Sequence, residues 1–204
     1  MAEGTKRMML TPSSAIAAAW VVWLVTWILA AGWSARTASH HDLGAESPSR
    51  VLTLAAVVMI LASYWPLATA MLWRAPSEIG WAMFCFVLLG LGFTWAARLH
   101  LGPLWSSTSA PTEDHRIVDT GPYGVVRHPV YAGLLLAAVA TAVERGRLEA
   151  VAGALVLVAA ISLRAKLEER FLRRDLGDET YTAYRRRVPM LIPFAKSAPR
   201  ASAE

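Results

Sequence analysis

The 204-residue chain contains one cysteine, Cys85, and it lies inside an apolar run. A disulfide framework and a cysteine metal centre are therefore excluded. Its five histidines are His40, His41, His100, His115 and His128, and no two form the HExxH pair of a zinc helix, so no metal is expected. His40 and His41 fall in a polar stretch and are expected to be solvated. The chain also lacks a GxGxxG after a strand-like run, the mark of a soluble dinucleotide-binding domain. Charge is scarce, 17% of residues against 55% hydrophobic, a balance foreign to an ordinary soluble domain of this size. The formal charge of +5 would suit nucleic acid, but the basic residues concentrate after Arg164, directly behind an apolar segment. Anionic lipid headgroups explain that placement better, and no nucleic-acid partner is expected.

What the chain has instead is a series of apolar runs. The predicted fold is an all-α integral membrane bundle of five transmembrane helices, about 15–33, 51–73, 79–99, 129–143 and 147–166, forming one membrane domain over 1–204. The first run is too long and too rich in tryptophan for a signal core, and no small-x-small cleavage site follows it. Pro66 is expected to kink the second, and Ser77 to cap the third. All nine tryptophans precede residue 106, mostly near the ends of the first three runs, where interfacial anchors belong. The last two runs are short and rich in alanine and glycine, which predicts a tight helical hairpin. The final helix is expected to continue past Leu163, because Leu167, Phe171 and Leu172 keep an apolar face without a breaker. Lysine and arginine number 15 on one side of this topology and 5 on the other. The positive-inside rule then makes the C-terminus cytoplasmic. The Ala- and Arg-rich composition hints at a bacterial inner membrane. Beyond Phe194 the tail, 195–204, reads as disordered.

The densest unusual chemistry lies in GPYGVVRHPVYAG, Gly121 to Gly133. Pro129 suits the first turn of a helix, where its missing N–H costs nothing, and it biases His128 toward an extended conformation. His128 is thereby placed at a helix mouth, whose unpaired N–H groups suit a carboxylate or phosphate. Arg127 adds a full charge, Tyr123 and Tyr131 offer aromatic faces, and Gly121 and Gly133 permit close backbone approach. Two accounts remain open on spacing alone, a cofactor-site floor and a basic, aromatic membrane collar. A second cluster comprises Arg164, Glu168 and Glu169. Arg164 and Glu168 share a helix face at i,i+4, with Glu169 rotated by about 100°. They read either as a solvated pair or, where a membrane helix leaves the bilayer, as a functional group. Tyr181 and Tyr184 are expected on a short amphipathic helix packed toward the bilayer and ended by Pro189 and Pro193.

HRIVDTGPYGVVRHPVY, RAKLEER and YTAYRRRVPMLIPF, in that order, together resemble the isoprenylcysteine carboxyl methyltransferase family and, behind it, the phospholipid N-methyltransferases. The resemblance covers roughly Arg98 to Phe194, with a weaker LGPLWS at Leu101 to Ser106. It implies a methyltransferase taking S-adenosylmethionine as cofactor and acting at the membrane on a lipophilic acceptor, foremost the carboxylate of an isoprenylcysteine. Carried over by motif, His115, Arg116, Ile117, Val118, Tyr123, Arg127, His128, Pro129, Tyr131, Glu168 and Glu169 would bind the cofactor. Arg164 would meet the substrate, and Arg164 and Glu168 would be the catalytic pair. The site would be built from 100–133 and 164–194, beneath a lid made of the central loop and the C-terminal segment. Gly124 and Leu176 depart from the family pattern. Rival expectations are an amine or phospholipid N-methyltransferase, a sterol-type membrane reductase using NADPH, and a membrane scaffold holding lipids through its basic tail.

Overall fold

The computed structural model describes residues 10–34, 47–65, 70–102, 118–176 and 178–195. Among these the chain forms α1 (Pro12–Ser34), α2 (Ser47–Ala62), α3 (Ser77–Leu101), α4 (Pro122–Val125), α5 (Pro129–Arg145), α6 (Leu148–Leu176) and α7 (Asp178–Arg187). The described residues hold no strand, only one isolated antiparallel bridge between Met71 and Arg147. Three helices are long and apolar enough to cross a membrane, Pro12–Ala30, Ser77–Leu101 and Leu148–Arg173, with Pro48–Ala62 as a shorter apolar helix. At 16 and 17 residues, α2 and α5 reach roughly 24 to 26 Å, short of a hydrocarbon core of about 30 Å.

The alanine content of α5 follows from its position. One side joins Ile16, Val87, Leu91, Ala137 and Ala140 in a core shared with α1 and α3. Another joins Ala56, Ile60, Ala138, Leu157 and Ile161 in a core shared with α2 and α6. A helix packed on both flanks has little room for long side chains. The closest approach is between Gly90 on α3 and Gly133 on α5. A Cβ built at Gly133 would fall 2.8 Å from the Thr94 methyl, and one at Gly90 would fall 2.9 Å from the Ala137 nitrogen. On the other flank, a Cβ at Gly153 of α6 would fall 2.9 Å from the Ala56 carbonyl of α2.

Three expectations are corrected. The second run does not continue as one helix to residue 73. It ends at Ala62, and Tyr64 and Trp65 donate to the carbonyls of Leu61 and Ala62 in tight turns. Ala70–Trp73 then runs beside the α5–α6 turn, with Leu72 N donating to Gly146 O at 2.8 Å and Leu148 N to Ala70 O at 3.0 Å. Pro66, the expected kink, lies outside the described residues, as do His40 and His41. Ser77 does not cap α3. Pro76 holds that place, Ser77 is the first helical residue, and no side chain makes a capping bond. Finally, Trp20 and Trp23 are not interfacial anchors. Both sit within α1, where their indole N–H groups donate to Thr141 Oγ1 at 3.0 Å and Thr94 Oγ1 at 2.7 Å. Those threonines are fully buried, so the bonds give buried hydroxyls a second partner and fix the height of α1 against α3 and α5.

The end of the bundle at the α5–α6 turn is closed by polar contacts. Ser13 Oγ donates to Glu144 Oε1 at 2.5 Å, Arg145 Nη2 donates to the Ser63 carbonyl at 2.5 Å, and the Arg145 guanidinium lies 4.3 Å from the centre of the Tyr64 ring. At the opposite end, α6 runs unbroken through Arg164 to Leu176, as expected, and α7 follows. That end carries the chemistry.

Candidate active site

His128 is the N-cap of α5, with φ −122°, and Pro129 is the first helical residue, the arrangement expected from the sequence. Pro129 is fully buried. One turn further into α5, the Tyr131 ring stacks on His128 with centroids 5.5 Å apart and planes 16° from parallel. From α6, Glu168 and Glu169 reach back to opposite edges of the imidazole. Glu168 Oε2 is 3.5 Å from His128 Nδ1, and Glu169 Oε1 is 3.6 Å from Nε2. The 100° rotation between consecutive helical residues is what lets adjacent glutamates bracket one ring. Nε2 itself has no hydrogen-bond partner, although the His128 side chain is 8% exposed. Burial alone would push this imidazole down, but hydrogen bonding and charge from Glu168 and Glu169 outweigh it and hold the group above the ordinary histidine value.

Arg164, Tyr131 and Glu168 form a second knot. Arg164 Nε donates to Tyr131 Oη at 2.8 Å and to Glu168 Oε1 at 3.3 Å, and Tyr131 Oη donates to that same carboxylate oxygen. Glu168 stays open, 39% exposed, whereas Glu169 is 9% exposed. The two carboxylates thus differ in kind: one can meet a ligand, and the other serves the protein's interior.

Arg127 was expected to lend its charge to an open anion site. Its side chain is instead buried and all of its donors turn inward. Nε and Nη2 donate to Glu169 Oε1 at 2.8 and 2.6 Å, and Nη1 donates to the carbonyls of Arg185 at 3.1 Å and Val188 at 2.5 Å. The backbone repeats the connection, with Arg127 N donating to Pro189 O at 2.9 Å and His128 N to Met190 O at 3.2 Å. The helix-mouth N–H of His128 is therefore already occupied by the C-terminal segment. That segment also corrects the expectation for Tyr181 and Tyr184. They do lie on a short helix, but both are buried against each other, Val188 and Leu172, facing the protein and not lipid. Tyr184 Oη donates to Tyr123 O at 2.8 Å, and burial, the largest influence on it, pushes this phenol up to about 12.

Tyr123 lies on α4, its ring 6.5 Å from that of His100 and nearly parallel to it. Burial, then Tyr184 and Glu168, raise its phenol well above the ordinary range. His100 Nε2 lies 2.9 Å from Thr120 Oγ1, and Gly121, at φ +56°, leaves space that a Cβ would fill within 2.7 Å of the His100 ring. The close approaches at Gly121 and Gly133 thus receive other parts of this chain. Val118 is half-buried at the start of this stretch, and His115, Arg116 and Ile117 lie outside the described residues. His100, Asp119 (3.0 Å from Arg187) and the α7 carbonyls were not singled out from the sequence. The tyrosine spacing i,i+3 in YTAYRRR was the available signal for a buried face on α7.

Residues 81–174 match the Isoprenylcysteine carboxyl methyltransferase (ICMT) family. The chain is 36% identical over 83 residues to Protein-S-isoprenylcysteine O-methyltransferase B of Arabidopsis thaliana, covering 40% of this chain and 42% of that one. It is also 36% identical over 109 residues to the Probable protein-S-isoprenylcysteine O-methyltransferase of Oryza sativa subsp. indica, covering 53% of this chain and 51% of that one. Methanethiol S-methyltransferase 2 of Bradyrhizobium diazoefficiens is 47% identical over 72 residues, 35% of this chain and 26% of that one. The chain spans about half the length, or less, of these curated relatives. The matched segment contains most of α3, all of α4 and α5 and nearly all of α6, and hence His128, Tyr131, Arg164, Glu168 and Glu169. Residues 81–174 are thus similar to the isoprenylcysteine carboxyl methyltransferase family.

Proposed function

We propose that the protein transfers a methyl group from S-adenosylmethionine to a lipophilic acceptor at a membrane, foremost the carboxylate of an isoprenylcysteine or a similar lipophilic acid. The observation that carries this reading is the knot of Arg164, Tyr131 and Glu168 beside the buried His128. The exposed Glu168 carboxylate offers an acceptor for a cofactor's ammonium or ribose hydroxyls, so the residues present fit the group. Tyr123, His128, Pro129, Tyr131 and Glu168 would hold it, with His115, Arg116, Ile117 and Val118 completing the cofactor side. When bound, S-adenosylmethionine supplies a sulfonium-activated methyl group. The chain's own task is then to orient two reactants and exclude water. A carboxylate acceptor is ionised at neutral pH and needs no general base. Arg164 would align it by charge and planar geometry, and Tyr131 would fix the arginine.

The similarity to a methanethiol S-methyltransferase favours a second acceptor class, a thiol. A thiol must lose a proton, and Glu168 or His128 would receive it. The amine acceptor of a phospholipid N-methyltransferase would make the same demand. The names of the relatives put methyl transfer ahead of the reductase and scaffold readings. For the membrane arrangement, α1, α2, α3, α5 and α6 would span, with the site, α7 and the C-terminus on the cytoplasmic side beneath a lid of the central loop and the C-terminal segment.

Calorimetric titration of S-adenosylhomocysteine into the detergent-purified protein tests the assignment. Wild type should bind saturably, Glu168→Ala and His128→Ala should each lose at least about tenfold in affinity, the worth of one charge-assisted hydrogen bond, and Arg164→Ala should bind nearly normally while losing acceptor turnover. Well-folded wild-type protein that shows no binding in the presence of lipid would sink the reading.

A further inference from the structure

The C-terminal segment is held to the site by backbone and side-chain contacts, and one buried side chain stands at their centre. Arg127 stands immediately before His128, and its guanidinium joins three parts of the chain: Glu169 of α6, the last helical turn of α7 through Arg185 O, and the bend that follows through Val188 O. Its side chain and that of Glu169 are 6% and 9% exposed. Glu169 also meets α7 directly, with Arg185 Nε 3.8 Å from its Oε2. The planar fork of five donors suits this task because it can serve a carboxylate and two carbonyls at once.

We propose that Arg127 is a positioning residue, a latch that docks residues 181–190 against α6 and, by fixing the carboxylate of Glu169, sets the His128 ring between the two glutamates. The proposal rests on the methyl-transfer reading only for what the latch serves, since the docking is a property of the chain itself. Each of the three guanidinium nitrogens of Arg127 donates to a group of the chain itself. Arg127 acts through Glu169, which lies 3.6 Å from His128 Nε2, and through the backbone pairing of Arg127 and His128 with Pro189 and Met190. A buried ion pair of this kind is poor at adding net stability compared with apolar side chains, because desolvation offsets most of its attraction. Its use is to select one arrangement, and here the arrangement selected is the closed C-terminal segment.

Chymotrypsin reads the docking directly. Tyr181 and Tyr184 are buried, so cleavage after either requires the segment to leave α6. Full-length protein in detergent should be slow to cut at these two tyrosines. Arg127→Gln should be cut at least about tenfold faster, with helical circular dichroism unchanged, since losing one charge-assisted bond is worth about that factor. Arg127→Lys should fall between the two, because an ammonium cannot span a carboxylate and two carbonyls as the fork does. Should Arg127→Gln fail to fold for want of a partner for Glu169, the double variant Arg127→Gln/Glu169→Gln removes both charges. The latch predicts fast cleavage in the double variant. If it is protected like wild type, Arg127 serves only to neutralise Glu169, and the proposal is overturned. Wild-type protection in folded Arg127→Gln overturns it too. In parallel, S-adenosylhomocysteine affinity should fall in Arg127→Gln and partly recover in Arg127→Lys. Were wild type to bind no S-adenosylhomocysteine, the methyl-transfer reading would fail while the cleavage comparison still judged the latch.

Discussion

His128 sits between groups that pull its charge in opposite directions. Burial disfavours the imidazolium, while Glu168 at 3.5 Å, Glu169 at 3.6 Å and their hydrogen bonding favour it, and the outcome is upward from the ordinary value of 6.5. Tyr131 stacks on its face, and Arg127 is the cation nearest to Glu169 on the far side. A group held more basic when folded contributes stability that is fully present below its unfolded pKa and is lost as pH rises through the folded value. The stability difference between wild type and His128→Gln should therefore be largest at pH 6.5 and below, and shrink as pH rises. Melting temperatures of the two proteins measured from pH 6 to pH 9 check this, and a difference that grows with pH would contradict the bracketing by glutamates. Much about His128 was legible in the sequence, because Pro129 constrains its neighbour locally. Arg127 was not, since its partners lie 42 and 61 residues along the chain. A full charge beside a helix mouth looks like an anion site until the fold brings up a buried carboxylate to meet it.

At the scale of elements, the close packing expected within the α5–α6 hairpin goes instead to α3 for α5 and to α2 for α6, and only the turn that joins the two helices was legible. The partner of Gly133 was not: a glycine that could receive a ligand and one that receives Gly90 of α3 look alike in sequence. Gly133→Ala would put its Cβ 2.8 Å from the Thr94 methyl and 3.2 Å from the Thr94 nitrogen, against helix backbone that cannot yield. It should cost about 1 to 3 kcal/mol, the usual range for overpacking. Gly92, two residues along α3 from Gly90, has nothing within 4 Å of its built Cβ. Gly92→Ala should then be neutral, or stabilising by roughly 0.5 to 1 kcal/mol through helix propensity. Unfolding of both variants in mixed micelles with increasing SDS separates the cases, and equal effects would mean that α3 and α5 do not approach through these glycines. The end of α2 was misjudged for a related reason. An apolar run continues past Ala62 in composition, but composition does not register the turns at Ser63 to Trp65 or the pairing of residues 70–73 with the α5–α6 turn.

The whole molecule has two chemically different ends, and the membrane must see that difference. At one end lie Arg74, the turn of Glu144 to Arg147 and the contacts of Ser13 and Ser63. At the other lie His128, Glu168, Glu169 and the run of Arg185, Arg186 and Arg187. By the positive-inside rule, the charge bias of the sequence would put the second end in the cytoplasm. The structure supplies the geometry for a decisive test, because Arg74, beside the α5–α6 turn, and Arg187, at the end of α7, are both exposed. Cys85, the one native thiol, faces outward from α3 and is removed first as Cys85→Ser. In that background, a membrane-impermeant maleimide should label Arg74→Cys in intact cells, and Arg187→Cys only once the membrane is broken or inverted. Labelling of both from the same side would mean that an even number of α3, α5 and α6 cross, as when α3 and α6 span and the 17-residue α5 does not. Reversed labelling would keep the bundle but turn it over, leaving the Arg164, Tyr131 and Glu168 knot on the side where a cytosolic methyl donor cannot reach it. Only the expected pattern joins the fold, the charge bias and the proposed chemistry on one face of the membrane.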